Sequence, residues 1–170
     1  MKPVLKLSLS RGEAGTDETI AVMTAVAHDA AENSRRVQDL ARRIIDDNDT
    51  EWLRIKDLYT FLRDRFVFEP DRPGVEEIRK PDSLLRVIEE TGEVRADCDD
   101  RATLGAAILR AMKLPAFFIV MSRSQTRGYH HVYYGSALSV LPDRVIPCDP
   151  QAATPCGDWT PAARQKVYRA

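Results

Sequence analysis

Residues 97–112 read DCDDRATLGAAILRAM. Asp97 is a residue type that caps helices, and beyond it Ala102, Leu104, Ala106, Ala107, Ile108, Leu109 and Met112 spread round most of a helical circumference. A helix apolar on so many sides is buried, so a central helix is expected from Cys98 to about Met112. Its cysteine stands in the first turn, where free backbone N–H groups and the helix dipole favour a thiolate. That placement can bring a cysteine pKa from about 8.5 into the range of about 3.5–7.5, which makes Cys98 a candidate nucleophile.

C-terminal to this helix, past Lys113-Leu114-Pro115, the chain turns β-branched and aromatic. Three short strands are expected over 117–122, 131–136 and 144–148, as an antiparallel meander. His131 opens the second of these and Asp149 ends the third. A histidine near a thiol takes its proton and later returns one to a leaving amine, and a carboxylate on the far ring nitrogen fixes tautomer and orientation. Cys98, His131 and Asp149 are thus the candidate catalytic set. Residues 152–170 form a Pro-interrupted tail with little pattern.

N-terminal to the helix, 16–33 carries Ile20, Met23, Ala27 and Ala30 at helical spacing. Ser34 can cap a second helix with Val37, Leu40, Ala41, Ile44 and Ile45 on one face, ended by the Asp46-Asp47-Asn48-Asp49 cluster. A third, from Glu51, sets Trp52, Ile55, Tyr59, Leu62 and Phe66 against a charged face. FEPDRPGVEEIRKPDS, residues 68–83, reads as a surface connection, and 84–90 as a short helix. At the start, Leu5, Leu7 and Leu9 alternate with Lys6, Ser8 and Ser10, the pattern of a strand and not of a secretory signal.

The chain of 170 residues, 44% hydrophobic and 30% charged, has the composition of one ordinary globular domain. With 25 Lys+Arg against 26 Asp+Glu there is no electrostatic case for a nucleic acid or an anionic membrane as partner. The longest charge-free run, 128–142, falls short of the ~20 apolar residues of a membrane span. Three cysteines, Cys98, Cys148 and Cys156, are an odd and sparse set, typical of a reducing compartment and leaving at least one thiol free.

Blander readings stand beside these. Cys98 could be a small core residue, Asp149 before Pro150 could simply begin a turn, and the three cysteines with the histidines could hold a metal, although seven residues separate Cys148 from Cys156 where structural zinc favours C-x₂₋₄-C. His28 reads as a surface residue, and Asp99, Asp100 and Arg101 as a solvated first turn.

The run Asp97-Cys98-Asp99-Asp100-Arg101-Ala102-Thr103-Leu104, with Leu109-Arg110-Ala111, Leu114-Pro115-Ala116, His130-His131-Val132-Tyr133 and Cys148-Asp149-Pro150, resembles the transglutaminase-like superfamily of papain-like thiol enzymes. Phe68-Glu69-Pro70-Asp71, Glu76 and Pro81 resemble its short phage and prophage members, so the likeness covers roughly residues 16–150. The family's usual glycine before the Asp-Cys pair is Ala96 here. The resemblance implies an α+β fold: a papain/transglutaminase-like core with N-terminal helices and a buried cysteine helix on a small antiparallel sheet. It implies a single domain over 1–170, with 16–90 mainly helical, 91–150 carrying the catalytic core and 151–170 as a tail. It assigns catalysis to Cys98, His131 and Asp149, choosing His131 over His130 because it precedes Val132-Tyr133. The implied activity is attack on peptide or side-chain amides through a thioester, as a cysteine protease or amidase more than as a crosslinking acyltransferase. The alternative is an inactive phage or prophage assembly or binding protein that keeps the fold. No cofactor and no metal is expected. The expected partners are a protein or peptide substrate and phage structural proteins, with neither nucleic acid nor membrane. The expected location is the cytoplasm of a bacterial or phage-infected cell, with association to the virion left open.

Overall fold

Helix α5 (Cys98–Ala111) is the axis on which everything else is laid down. In the computed structural model, which describes residues 4–7, 12–72 and 76–170, every residue of this helix from Asp99 to Leu109 is buried. The Asp97 side chain accepts a hydrogen bond from the Asp100 N–H at 3.2 Å, the cap expected there. Among the described residues Lys113 is the one non-glycine with positive φ, so Ala96 stands in ordinary extended backbone without strain.

Three helices precede it: α1 (Glu13–Asn33), α2 (Arg35–Asp47) and α3 (Glu51–Arg65). Ser34 caps α2 by accepting from Val37 N–H, and Thr50 caps α3 by accepting from Leu53 N–H. Their expected apolar stripes are buried, from Ile20 and Met23 through Val37 and Ile44 to Ile55 and Leu62. Trp52 departs from this pattern and is 40% exposed, while Phe66 leaves the helix to open a strand.

The stretch 68–83 is more than a connection. Phe66–Phe68 (β2) pairs in parallel with Val94–Ala96, and Glu76–Arg79 (β3) pairs antiparallel with Val4–Leu7 (β1). Ile78 of β3 is fully buried. Residues 8–10 of the expected first strand lie outside the described residues. Helix α4 (Pro81–Thr91) starts with proline in its first turn and ends at Gly92, whose φ of 88° is a left-handed stop that glycine accepts without strain. Strand β4 (Val94–Ala96) then leads into Asp97.

The expected meander is present as β5 (Ala116–Ser122), β6 (His131–Ser136) and β7 (Ile146–Cys148). A fourth strand, β8 (Arg164–Arg169), comes from the segment read as a patternless tail and pairs with β5 from Phe117↔Arg169 to Ser122↔Arg164. The sheet order is β7-β6-β5-β8, antiparallel throughout. Phe118, Val120, Val132 and Tyr134 join the main core with α5, while Ile119, Met121 and Tyr133 form a smaller cluster of their own. On α5, Cys98, Ala102 and Gly105 fall at i, i+4 and i+7, one stripe of small side chains. A Cβ at Gly105 would lie 2.7 Å from Cδ1 of Tyr134, so glycine is what lets the helix lie this close to β6.

Among the described residues no helix is long and apolar enough to cross a membrane.

Candidate active site

Cys98, His131 and Asp149 line one narrow crevice, together with Arg101, Ala102, Val132, Tyr133, Tyr134, Pro150 and Gln151. The three sequence candidates are therefore brought together, from the start of α5, the start of β6 and the end of β7.

The sheet wall is the more fully organised. His131 Nε2 lies 2.9 Å from Asp149 Oδ2, with the histidine side chain 14% exposed and the carboxylate 1%. The same oxygen accepts from Thr160 Oγ1 at 2.8 Å, and Oδ1 accepts from the N–H groups of Gln151 and Ala152, each at 3.3 Å. Burial works against the Asp149 charge, but the bonds from His131, Thr160 and the backbone outweigh it and hold the carboxyl below its ordinary value. An ionised carboxylate can only accept, so Nε2 carries a proton toward Asp149 and Nδ1 is the ring nitrogen that this contact leaves available. Thr160 had no signal in the sequence, since it lies between Trp159 and Pro161 in the segment without pattern.

His130 is exposed, and His131 is the histidine that borders the crevice. The reason differs from simple alternation toward the helix. His131 stacks on Tyr133, ring centroids 5.8 Å apart, and Tyr133 belongs to the smaller cluster and not to the residues packed under α5. The imidazole borders the crevice because Cys98 sits at the tip of α5, beside the opening residue of β6, and not over the middle of the sheet.

The helix wall is different. Cys98 is partly exposed and its thiol faces the N–H groups of Val132 and of Cys98 itself, which favour the anion. Burial, Asp99 and Asp97 outweigh them, and the thiol is pushed up to about 12. The expected lowering of the thiol by its place at the helix start is met first by burial and then by the carboxylate of Asp99, a residue expected to face solvent that does not. Asp99, Asp100 and Arg101 are 4%, 0% and 4% exposed.

Each of the three has a structural role. Asp100 Oδ1 accepts from Arg79 N–H at 2.7 Å and its Oδ2 lies 3.2 Å from Arg79 Nε, which fastens β3 to α5. Burial, and then Asp97, still push the Asp100 carboxyl up to about 7 against these bonds. One oxygen from each of Asp97, Asp99 and Asp100 lies within 4.8 Å of the others. Asp99 Oδ1 accepts from Asp100 N–H at 2.7 Å. Arg101 donates to Phe66 O at 3.3 Å and lies over the Phe66 ring at 5.2 Å. It is a buried guanidinium on the crevice wall, three residues from the thiol, and sequence periodicity alone had placed it in water.

The metal reading finds no convergence among the described residues, where the acidic trio is the one group of three potential ligands that meets, without cysteine or histidine. Cys148 and Cys156 lie together instead, with sulfurs 3.6 Å apart. His28 is exposed on α1, paired with Glu32 at 3.4 Å.

No family model matches the chain, and no curated protein does. Among solved structures it is similar to a "Putative Cysteine Protease from Cytophaga hutchinsonii", at 15% identity and a TM-score of 0.48, over 79% of this chain and 46% of that one. The chain thus spans less than half the length of that protein, and a likeness of this degree assigns no activity to it.

Proposed function

We propose that the protein is a thiol-dependent enzyme acting on amide bonds of a peptide or protein, and that it is a hydrolase. The observation that carries this reading is His131, held by Asp149 through Nε2 at 2.9 Å, on the wall of the crevice that also contains the Cys98 thiol.

A thiol that resists ionisation alone loses its proton most easily when a base takes it as the new bond forms. His131 Nδ1 accepts the Cys98 proton while the sulfur bonds to the amide carbonyl carbon. The negative charge moves to the carbonyl oxygen, where the Cys98 N–H in the first turn of α5 is a natural donor. The imidazolium returns its proton to the leaving amine, the C–N bond breaks and a thioester remains. Water, deprotonated by the same imidazole, then releases the acid and the thiol. Asp149 keeps its charge throughout and holds the imidazolium against it. The crevice is too narrow to enclose a side chain, so the scissile amide lies across its rim.

The test is labelling with a peptidyl acyl electrophile, followed by mass mapping. An adduct on Cys98 that forms rapidly in the wild type and slowly in His131→Ala is the expected result. Labelling of Cys148 or Cys156 with Cys98 untouched overturns the reading. With an amide peptide as substrate, an added primary amine separates the two outcomes: free acid as the main product supports a hydrolase, and a new amide supports an acyltransferase.

A further inference from the structure

Cys148 and Cys156 take no part in the chemistry above, yet their two thiols lie against one another. Cys148 ends β7 and is fully buried; Cys156 is partly exposed in the loop beyond Asp149. Their sulfurs are 3.6 Å apart, so joining them at the usual S–S length of about 2.0 Å asks for a closure of under about 2 Å. The backbone is already tied at this point, since Gly157 N–H donates to Pro147 O at 2.9 Å. Gly157 has φ of 98°, a conformation glycine adopts freely, and it turns the loop so that Cys156 comes back over β7.

We propose that Cys148 and Cys156 form a dithiol site that is oxidised to an intramolecular disulfide by a small disulfide bearing carboxylates. The two thiols are unequal in the way such an exchange needs. Cys156 borders an open pocket of about 450 Å³ with Trp52, Lys56, Tyr59 and Arg63, whereas Cys148 is shielded behind it. The contact with the Cys148 sulfur, and then Lys56, hold the Cys156 thiol below its ordinary value, while burial raises Cys148. Lys56 gives the pocket a cationic wall, with Arg63 beside it paired to Asp64 at 2.8 Å, and this favours an anionic co-reactant.

The exchange balances in two steps. The Cys156 thiolate attacks one sulfur of the small disulfide, forming a mixed disulfide and releasing one small thiolate, which takes up the proton that Cys156 gave to solvent. Cys148 then attacks the Cys156 sulfur; the mixed disulfide breaks, a second small thiol leaves with the Cys148 proton, and the protein has lost two hydrogens while one small disulfide has become two thiols. The bond would staple the loop that begins at Asp149. This inference does not depend on Cys98 being catalytic.

The test exposes the whole protein to oxidised glutathione at neutral pH, blocks remaining thiols with N-ethylmaleimide and maps the products by mass. A Cys148–Cys156 cross-link with Cys98 blocked is the expected result, and Cys148→Ala should halt at a glutathione adduct on Cys156. Cystamine, a cationic disulfide, should react several-fold more slowly. Three blocked thiols after oxidation, a stable glutathione adduct in the wild type, or a cross-link that includes Cys98 each overturns the proposal. A faster reaction with cystamine overturns the choice of an anionic co-reactant. The wild-type map discriminates among these outcomes by itself, so the test still stands where the Cys148→Ala variant fails to fold.

Discussion

The two walls of the crevice treat negative charge in opposite ways. On the sheet side Asp149 is nearly inaccessible but receives His131, Thr160 and two backbone N–H groups, and it keeps its charge. On the helix side Asp97, Asp99 and Asp100 crowd the first turn of α5, and both Cys98 and Asp100 are pushed up. Burial is common to both; the donors around Asp149 and the neighbouring carboxylates on the helix side are what differ. The fixed charge of this site thus lies behind His131 and not on Cys98, and under the proposed reaction the sulfur's charge should appear only when His131 takes its proton.

The strongest way to break that contrast is to remove the base. Cys98→Ala should abolish acyl transfer, and His131→Ala should lower the acylation rate of Cys98 by about 10⁴-fold, the upper end for general base catalysis. His130→Ala should stay within about twofold of wild type, as befits an exposed side chain. Single-turnover kinetics with an activated ester measure all three, and an equal loss from His130 and His131 would remove the base from the scheme. Next comes Asp149, the proposed orienter of the ring. Asp149→Asn should cost about 10³-fold, because an amide can hold the ring in the wrong tautomer while leaving the nucleophile in place.

Stability against pH sharpens the comparison, because the two walls have opposite slopes. The Asp100 carboxyl is at about 7 when folded and near 3.9 when unfolded, so the stability linked to its proton is complete below about pH 4 and lost as pH rises through about 7. The limit of that loss is roughly 4 kcal/mol, at about 1.4 kcal/mol per pH unit. Asp149 is held below its ordinary value, so its contribution is present above about pH 4 and lost as pH falls through its lower folded value. Denaturant melts from pH 3 to 8, on the order of one per pH unit, should find Asp100→Asn flattening the neutral limb and Asp149→Asn the acid limb. Identical flattening of one limb by both variants would show that the walls do not differ. The smallest effect is expected from Thr160→Val, which removes one of four donors to Asp149; a hydrogen bond to a charged group implies a loss of about tenfold in acylation rate, with a shift of the pH profile toward that of Asp149→Asn.

What could be read from the chain follows the range of the interactions involved. Asp97 as a cap, Ser34 as a cap and the apolar stripe of α2 rest on contacts within one or two turns, and all three are present. Strands β2, β3 and β4 run for three or four residues, too few for an alternating pattern to stand out between prolines and charges. Strand β8, RQKVYR, offers alternation of half-buried and exposed positions but is mostly polar, and its register depends on β5, more than forty residues earlier. The burial of Asp99, Asp100 and Arg101 was invisible for the same reason. Periodicity places charges in water, and only the arrival of Arg79 from β3 and Phe66 from β2 makes room for them inside.

The contact of Gly105 with Tyr134 acts on the crevice like a hinge pin set two turns away. A methyl group there would be a wedge under α5, and a rigid helix carries a displacement at one point along its length to its tip, which is where the thiol sits. The imidazole, fixed to the sheet, would not follow. The placement of Cys98 against His131 is therefore sensitive to a residue outside the crevice lining, so the tolerances of the site are set deep in the body of the protein as much as at its mouth.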